Sequence, residues 1–356
     1  MAAKAMEQGE IAKLDYNDLR FAHIKAPAGD PQILTSDPWS FIHRSLSEKL
    51  EHSKGENRKN HQRAVYFADI AEDFYRSAER TPLPAQATLY YYYMLNLAKA
   101  YLAISGVELE VKPEHHGLSL EQGAEQQIKV YAPMADVVNV FAEFAKALGK
   151  PAAGGSLKLV EILEHIPELH ALYASLGHAN KRKLLPVEID ILVNGARNKL
   201  FTEIRYEKKH EAKVDYKKFH KGKRLSYFKE GFPKPGWIVY RSIKQKQFQK
   251  NSTNLAYHRI LTEYAEFDIV SILTRGGYRY YCDLRPGGLH HLSYALAAMF
   301  YVGAAARYRP LEISSTLDGK LRPLLSELVT ITPKQYLYQL ASLITNKVCL
   351  IPFSNI

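Results

Sequence analysis

The sequence predicts an α+β protein, predominantly helical in its N- and C-terminal parts around a basic, strand-containing middle segment. Three observations predict it. Apolar residues recur at helical spacing from Trp39 to Leu176 and again from Leu292 to Ile344. Between Val187 and Leu284 they alternate in the manner of strands, and positive charge is concentrated in that same stretch. With 356 residues, 46% of them hydrophobic and 24% charged, the chain has enough apolar matter for about two cores, or one large core with insertions. No internal repeat is evident.

Residues 1–35 read as a loosely structured leader broken by Pro27, Gly29 and Pro31. A helical domain over 36–180 follows. Asp37-Pro38 has the chemistry of an N-cap followed by proline at the first helical position, and Trp39, Ile42, Leu46 and Leu50 then repeat on one face. Gly55–His61 reads as a polar break, and Ala64–Ala78 as a helix ended by Thr81-Pro82-Leu83-Pro84. Ala85–Ile104 is apolar nearly all round, which places it inside the molecule. Its four consecutive tyrosines step about 100° apart, so they fan around the axis and cannot form one stacking platform. Asn96 and Lys99 on this helix need partners if buried. After a turn-rich stretch from Gly106 to Tyr131, helices are expected at Ala135–Leu148 and Leu157–Leu176.

A basic β-rich insert spans 181–284. Its expected strands are Val187–Val193, Leu200–Tyr206, Gly236–Ile243 and Gly277–Leu284, with Asn194-Gly195 turning the first pair and a helix or extended segment at Thr253–Leu273. In 285–356, Pro286-Gly287-Gly288 opens a long helix through Ala306 and Arg309-Pro310 stops it. Helices at Gly319–Leu328 and Pro333–Ile344 then pack back on the helical domain.

Several classes are disfavoured. The two cysteines, Cys282 and Cys349, are far apart and lack metal-ligand spacing, which fits a reducing, cytoplasmic setting. The apolar run Leu292–Ala306 falls short of the roughly twenty residues that span a bilayer, so no membrane association is expected. Gly154-Gly155 and Gly276-Gly277 lack the Lys-Ser/Thr of a phosphate loop, and there is no Gly-x-Ser-x-Gly elbow. The pairs His115-His116 and His290-His291 have no zinc-site companions. No cofactor is expected, with Mg²⁺ entering only under one alternative below.

Charge is the most informative feature. The net formal charge is +11, and residues 197–250 hold 17 Lys or Arg against 5 Asp or Glu, which leaves the rest of the chain at −1. Lysines neutralise phosphates while aromatic faces stack on unpaired bases. The residues expected to grip nucleic acid are Arg205, Lys208, Lys209, Lys217, Lys218, Lys221, Lys223, Arg224, Lys244 and Lys246, with Tyr227 and Trp237 as stacking faces. The same composition also suits a solvated β-ribbon with inward aromatics, or a face that docks an acidic protein or a second copy of the chain.

The segment PLPAQATLYYYYMLNLAKAYL, followed in order by His116-Gly117-Leu118-Ser119, by EILEHIPELHALY (Glu161–Tyr173) and by Ala306-Arg307-Tyr308-Arg309-Pro310, resembles the YaaC-like bacterial proteins. The resemblance covers the helical parts of most of the chain. It implies a bacterial, intracellular protein and supplies no catalytic residues.

Two catalytic patterns stand beside it. Arg285-Pro-Gly-Gly-Leu-His290 is similar to the Arg-x4-His signature of HEPN-type ribonucleases, where Arg stabilises phosphate charge and His moves the proton of the ribose 2′-hydroxyl. The intervening Pro286-Gly287-Gly288 departs from that signature by interrupting a shared helix face, and Arg205-x4-His210 repeats the spacing within a strand. Glu188-Ile-Asp190 with Glu203-Ile-Arg205 looks like the hairpin of PD-(D/E)xK nucleases, in which Asp190 and Glu203 would hold Mg²⁺. Arg205 stands where that family has its lysine, and it cannot act as a base. A surface hairpin of paired charges explains this second pattern more simply. Either nuclease reading is compatible with an antiviral or toxin setting.

Overall fold

The computed structural model describes residues 10–11, 32–83, 85–177, 184–194, 199–213, 228–243, 246–247, 269–274, 277–283 and 288–351. In chain order the elements are β1 (Glu10–Ile11), β2 (Gln32–Leu34), α1 (Pro38–Glu51), α2 (Gly55–Ala78), α3 (Ala85–Ile104), β3 (Glu114–His115), β4 (Leu118–Leu120), β5 (Gln127–Val130), β6 (Val138–Asn139), α4 (Val140–Ala147), β7 (Gly155–Lys158), α5 (Leu159–Leu163) and α6 (His170–Ser175). Then come β8 (Leu184–Asn194), β9 (Lys199–Glu207), β10 (Phe228–Glu230), β11 (Trp237–Ser242), β12 (Lys246–Gln247), β13 (Ile269–Thr274), β14 (Gly277–Asp283), α7 (His291–Tyr308), α8 (Pro310–Asp318), α9 (Arg322–Thr345) and β15 (Val348–Leu350). The mixed class is as expected: helical end parts and an antiparallel sheet in the middle. The chain divides into two compact units, one of residues 32–178 with 287–356 and the other of 1–31 with 179–286.

In the helical unit, Asp37 caps α1 by accepting the Ser40 N–H at 3.3 Å, and Trp39, Ile42 and Leu46 turn inward. The polar stretch from Gly55 does not break the helix, contrary to expectation; α2 begins there. On its solvent face Lys59 pairs with Glu56 at 3.0 Å, and Arg63 donates to the buried Asn60 side chain at 2.8 Å. Within α3, Tyr90, Tyr91 and Tyr93 are buried and fan out as their spacing requires. Tyr93 meets Trp39 and Tyr336, Tyr91 meets Phe300, and Tyr92 stacks on Phe74. Asn96 donates to the Tyr92 carbonyl at 2.8 Å and Lys99 pairs with Glu114 at 2.7 Å, so both polar groups are answered.

Four expected helices differ. The one predicted at Ala135–Leu148 starts at Val140, because Val138–Asn139 pairs with β3 and the Asn139 side chain then caps α4 through Ala142 N at 2.9 Å. The one predicted at Leu157–Leu176 is divided. Gly155–Lys158 is a strand, and Pro167 forces Ile166 out of helical geometry (φ −94°, ψ 108°), which separates α5 from α6. Conversely, Gly319–Leu328 and Pro333–Ile344 merge into α9 with Pro333 in its interior. Pro333 lacks one helical N–H, but it is buried and its carbonyl accepts the Tyr93 hydroxyl at 2.9 Å. Residues 32–34, placed in the leader by sequence, pair in parallel with β15.

α7 crosses α3 where Gly303 lies against Thr88; a Cβ at 303 would come within 2.9 Å of the Thr88 Cα, and the Thr88 hydroxyl donates to the Gly303 carbonyl at 3.1 Å. Among the described residues no helix is long and apolar enough to cross a membrane.

The second unit is an antiparallel sheet in the order β10-β11-β9-β8-β14-β13, with β1 pairing β8 and β12 pairing β9. All four predicted strands are present. Of Thr253–Leu273, residues 269–273 belong to β13 and the remainder lies outside the described residues. Leu184, Val270, Ile272 and Tyr281 form one apolar cluster of this unit.

Candidate nucleic-acid interface

β8 and β9 form the predicted hairpin. Its register sets Asp190 opposite Glu203 and Glu188 opposite Arg205, while Arg241 of β11 faces Glu203 from the other side of β9. Directly opposed residues share a sheet face, and the strand period of two adds 188 to 190 and 203 to 205. Three carboxylates are thereby gathered with Arg205, Arg241 and the nearby Lys234.

The cluster is buried at one end and open at the other: Glu203 is only 2% exposed and Arg241 3%, while Glu188 and Lys234 are exposed. Lys234 Nζ lies 2.8 Å from Glu203 Oε1, Arg241 Nη2 3.6 Å from Oε2, and Arg205 Nη1 3.8 Å from Oε1. Arg205 also grips Asp190 through Nη1, and Glu188 through Nε at 2.8 Å. Burial by itself would lower the Arg205 pKa; the hydrogen bonds and charges of Asp190 and Glu188 outweigh it and hold the guanidinium above its ordinary value. Arg241 lies over the rings of Phe201 and Phe232 at 4.5 and 4.9 Å, and Arg205 over Trp237 at 5.6 Å. Charges taken out of water are tolerated when paired in this way.

The chemistry follows. Glu188, Asp190 and Glu203 balance Arg205, Lys234 and Arg241, so the cluster as a whole attracts neither phosphate nor cation strongly. A divalent ion held by Asp190 and Glu203 would have to displace Arg205 and Lys234. Arg205, expected to contact phosphate, is engaged within the sheet. Trp237 is half-buried beside it.

Lys208 and Lys209 are exposed on the 3₁₀ turn that follows β9, Lys209 pairing with Glu207. Lys229, which the sequence reading did not single out, is exposed on β10. Lys246 lies on β12 opposite Leu200. Lys217, Lys218, Lys221, Lys223, Arg224, Tyr227 and Lys244 lie outside the described residues, as does Arg285.

His290 sits at the N-cap of α7, its Nδ1 accepting the Leu292 N–H at 3.2 Å. It is 6% exposed, with its ring 4.3 Å from that of His291. His291 in turn meets Gln339 at 2.7 Å.

Sequence reasoning missed Lys234 and Arg241. Arg241 could have been found from its two-residue spacing to Val239 on a predicted strand; Lys234 sits in a Pro-Lys-Pro turn that carries no such signal. The segments singled out by family resemblance also converge in the helical unit. The Tyr91 ring lies 6.3 Å from that of His116 and 5.2 Å from Phe300, Arg307 Nη1 donates to the Tyr92 hydroxyl at 2.6 Å, and His165 stacks on Tyr294 at 4.5 Å. Burial lowers the His116 pKa, helped by the nearby His115 and Arg307.

No curated protein and no solved structure matches this chain. A family model described as YaaC-like Protein matches residues 32–344.

Proposed function

The chain belongs to the YaaC-like family, and on that premise we propose that it is a nucleic-acid-binding or assembly subunit of a bacterial cytoplasmic system, gripping phosphates with its sheet-built unit. One observation carries the reading: residues 197–250 hold a net +12, while Arg205 and Arg241 within the sheet are balanced by the Asp190 and Glu203 carboxylates. The excess therefore resides on other side chains, where a polyanion can release its counterions on contact.

The test incubates full-length protein with labelled single-stranded RNA, single-stranded DNA and duplex DNA, with Mg²⁺ or EDTA, at two salt concentrations. Salt-sensitive binding without cleavage is the expected result. Replacement of Lys217, Lys218, Lys221, Lys223 and Arg224 by Gln should weaken binding by roughly tenfold or more, since each lost phosphate contact removes released counterions. Unchanged affinity in a folded variant would sink the reading. Cleavage that survives EDTA would move attention to Arg285 and His290, and cleavage lost in EDTA to Asp190 and Glu203. Absence of both binding and cleavage would favour an adaptor that docks an acidic protein partner.

A further inference from the structure

A pocket of about 580 Å³ opens in the helical unit where α1 ends beside the turn between α9 and β15. Small-molecule sites span roughly 300–1,000 Å³, so its size suits a compact organic ligand. Phe41 and Ile33, both half-buried, supply apolar lining. Lys49, His52 and Lys347 supply nitrogen-bearing side chains, and Ser45 a hydroxyl.

The charges around the pocket do not cancel. Arg44 and Glu48, which also line it, answer each other at 2.9 Å. Lys49 reaches the Ile344 carbonyl at 3.3 Å, close to the end of α9, and His52 Nδ1 donates to the Glu48 carbonyl at 2.7 Å, close to the end of α1. Two helix C-termini account for about one negative charge in total, at roughly half a charge each. Against that stand Lys49 and Lys347, with no further carboxylate lining the pocket. A surplus of about one positive charge remains.

We propose that this pocket binds a small phosphate monoester carrying an aromatic or apolar group. The phosphate meets Lys347, Lys49 and the Ser45 hydroxyl, and the apolar part lies against Phe41 and Ile33. Lysine ammonium groups are compact charges suited to phosphate, and the Ser45 hydroxyl adds a donor.

The experiment is calorimetric titration of the full chain with phenyl phosphate, and separately with phenol and with inorganic phosphate. Phenyl phosphate should bind saturably at millimolar concentration or below, and more tightly than either fragment. Lys347→Gln should weaken it by roughly tenfold, the effect of losing one charge-assisted hydrogen bond, and Ser45→Ala should weaken it less. Neither change touches a cap or the core. The variant with Gln at 217, 218, 221, 223 and 224 should bind phenyl phosphate as the native chain does, which keeps this site separable from the nucleic-acid reading. The proposal is overturned by no saturable binding, by equal affinity in Lys347→Gln, or by inorganic phosphate binding as tightly as phenyl phosphate.

Discussion

At the residue scale, the Glu203 carboxylate is the centre of the sheet unit, because Lys234, Arg241 and Arg205 all address it from within 4 Å. Glu203→Gln removes the buried carboxylate charge that Lys234, Arg241 and Arg205 share. Removing one partner of a buried ion pair typically destabilises by about 3–5 kcal/mol, and urea unfolding should show a loss of that order. A loss under about 1 kcal/mol would place the pair in the class of exposed salt bridges. Glu168 of the helical unit gives a pH-dependent counterpart. Burial pushes its carboxyl up from 4.5 to about 7. Between those values the folded state holds a proton that the unfolded chain releases, so this group's contribution to stability is full below about pH 4.5 and declines as pH rises through 7. His61 and His116, whose pKa values burial lowers, act in the opposite sense as pH falls below 6.5. The test is therefore the difference between the native chain and Glu168→Gln. The variant should match the native chain near pH 5 and exceed it near pH 8, where the native carboxyl is forced to ionise; a pH-independent difference would refute the assignment.

At the scale of elements, the crossing of α3 and α7 depends on a missing side chain. In an uncrowded helix, Gly→Ala stabilises by about 1 kcal/mol. At Gly303 the added Cβ would sit 2.9 Å from Thr88 Cα and 3.2 Å from the Ala87 carbonyl oxygen, both backbone atoms. Overpacking of this kind destabilises by about 1–3 kcal/mol, so the sign reverses. Thermal unfolding of Gly303→Ala should show a lower Tm than the native chain; a higher one would mean the helices separate freely. The same contest between local preference and packing decides α9. Pro333 reads locally as a helix start, yet its burial and the Tyr93 hydroxyl on its carbonyl hold one helix through it. Pro167, by contrast, leaves Ile166 extended and does end a helix.

At the scale of the whole molecule, the proposed function rests on how charge is distributed. If the basic unit contacts phosphates, log affinity should fall linearly with log salt, by about 0.7 per phosphate on single strands and about 0.9 on duplex DNA. The variant lacking the five central cations should show a shallower slope as well as weaker binding, and an unaltered slope would place the contacts elsewhere.

The sequence by itself determined the α+β class, the burial of Ala85–Ile104, the β8–β9 hairpin and the segregation of positive charge. Each of these follows from local period or local composition, which residues impose on the chain wherever it lies. Tertiary structure alone decided that Arg205 and Arg241 are engaged within the sheet. Arg205 looked like a phosphate contact and Arg241 like an ordinary strand residue, until register set both beside Glu203. It also decided that residues 32–34 pair with 348–350, and that the ends of α1 and α9 bring Lys49 and Lys347 to one pocket. Pairings across some 300 residues leave no trace in local periodicity, because they depend on which buried faces meet and not on what either segment prefers.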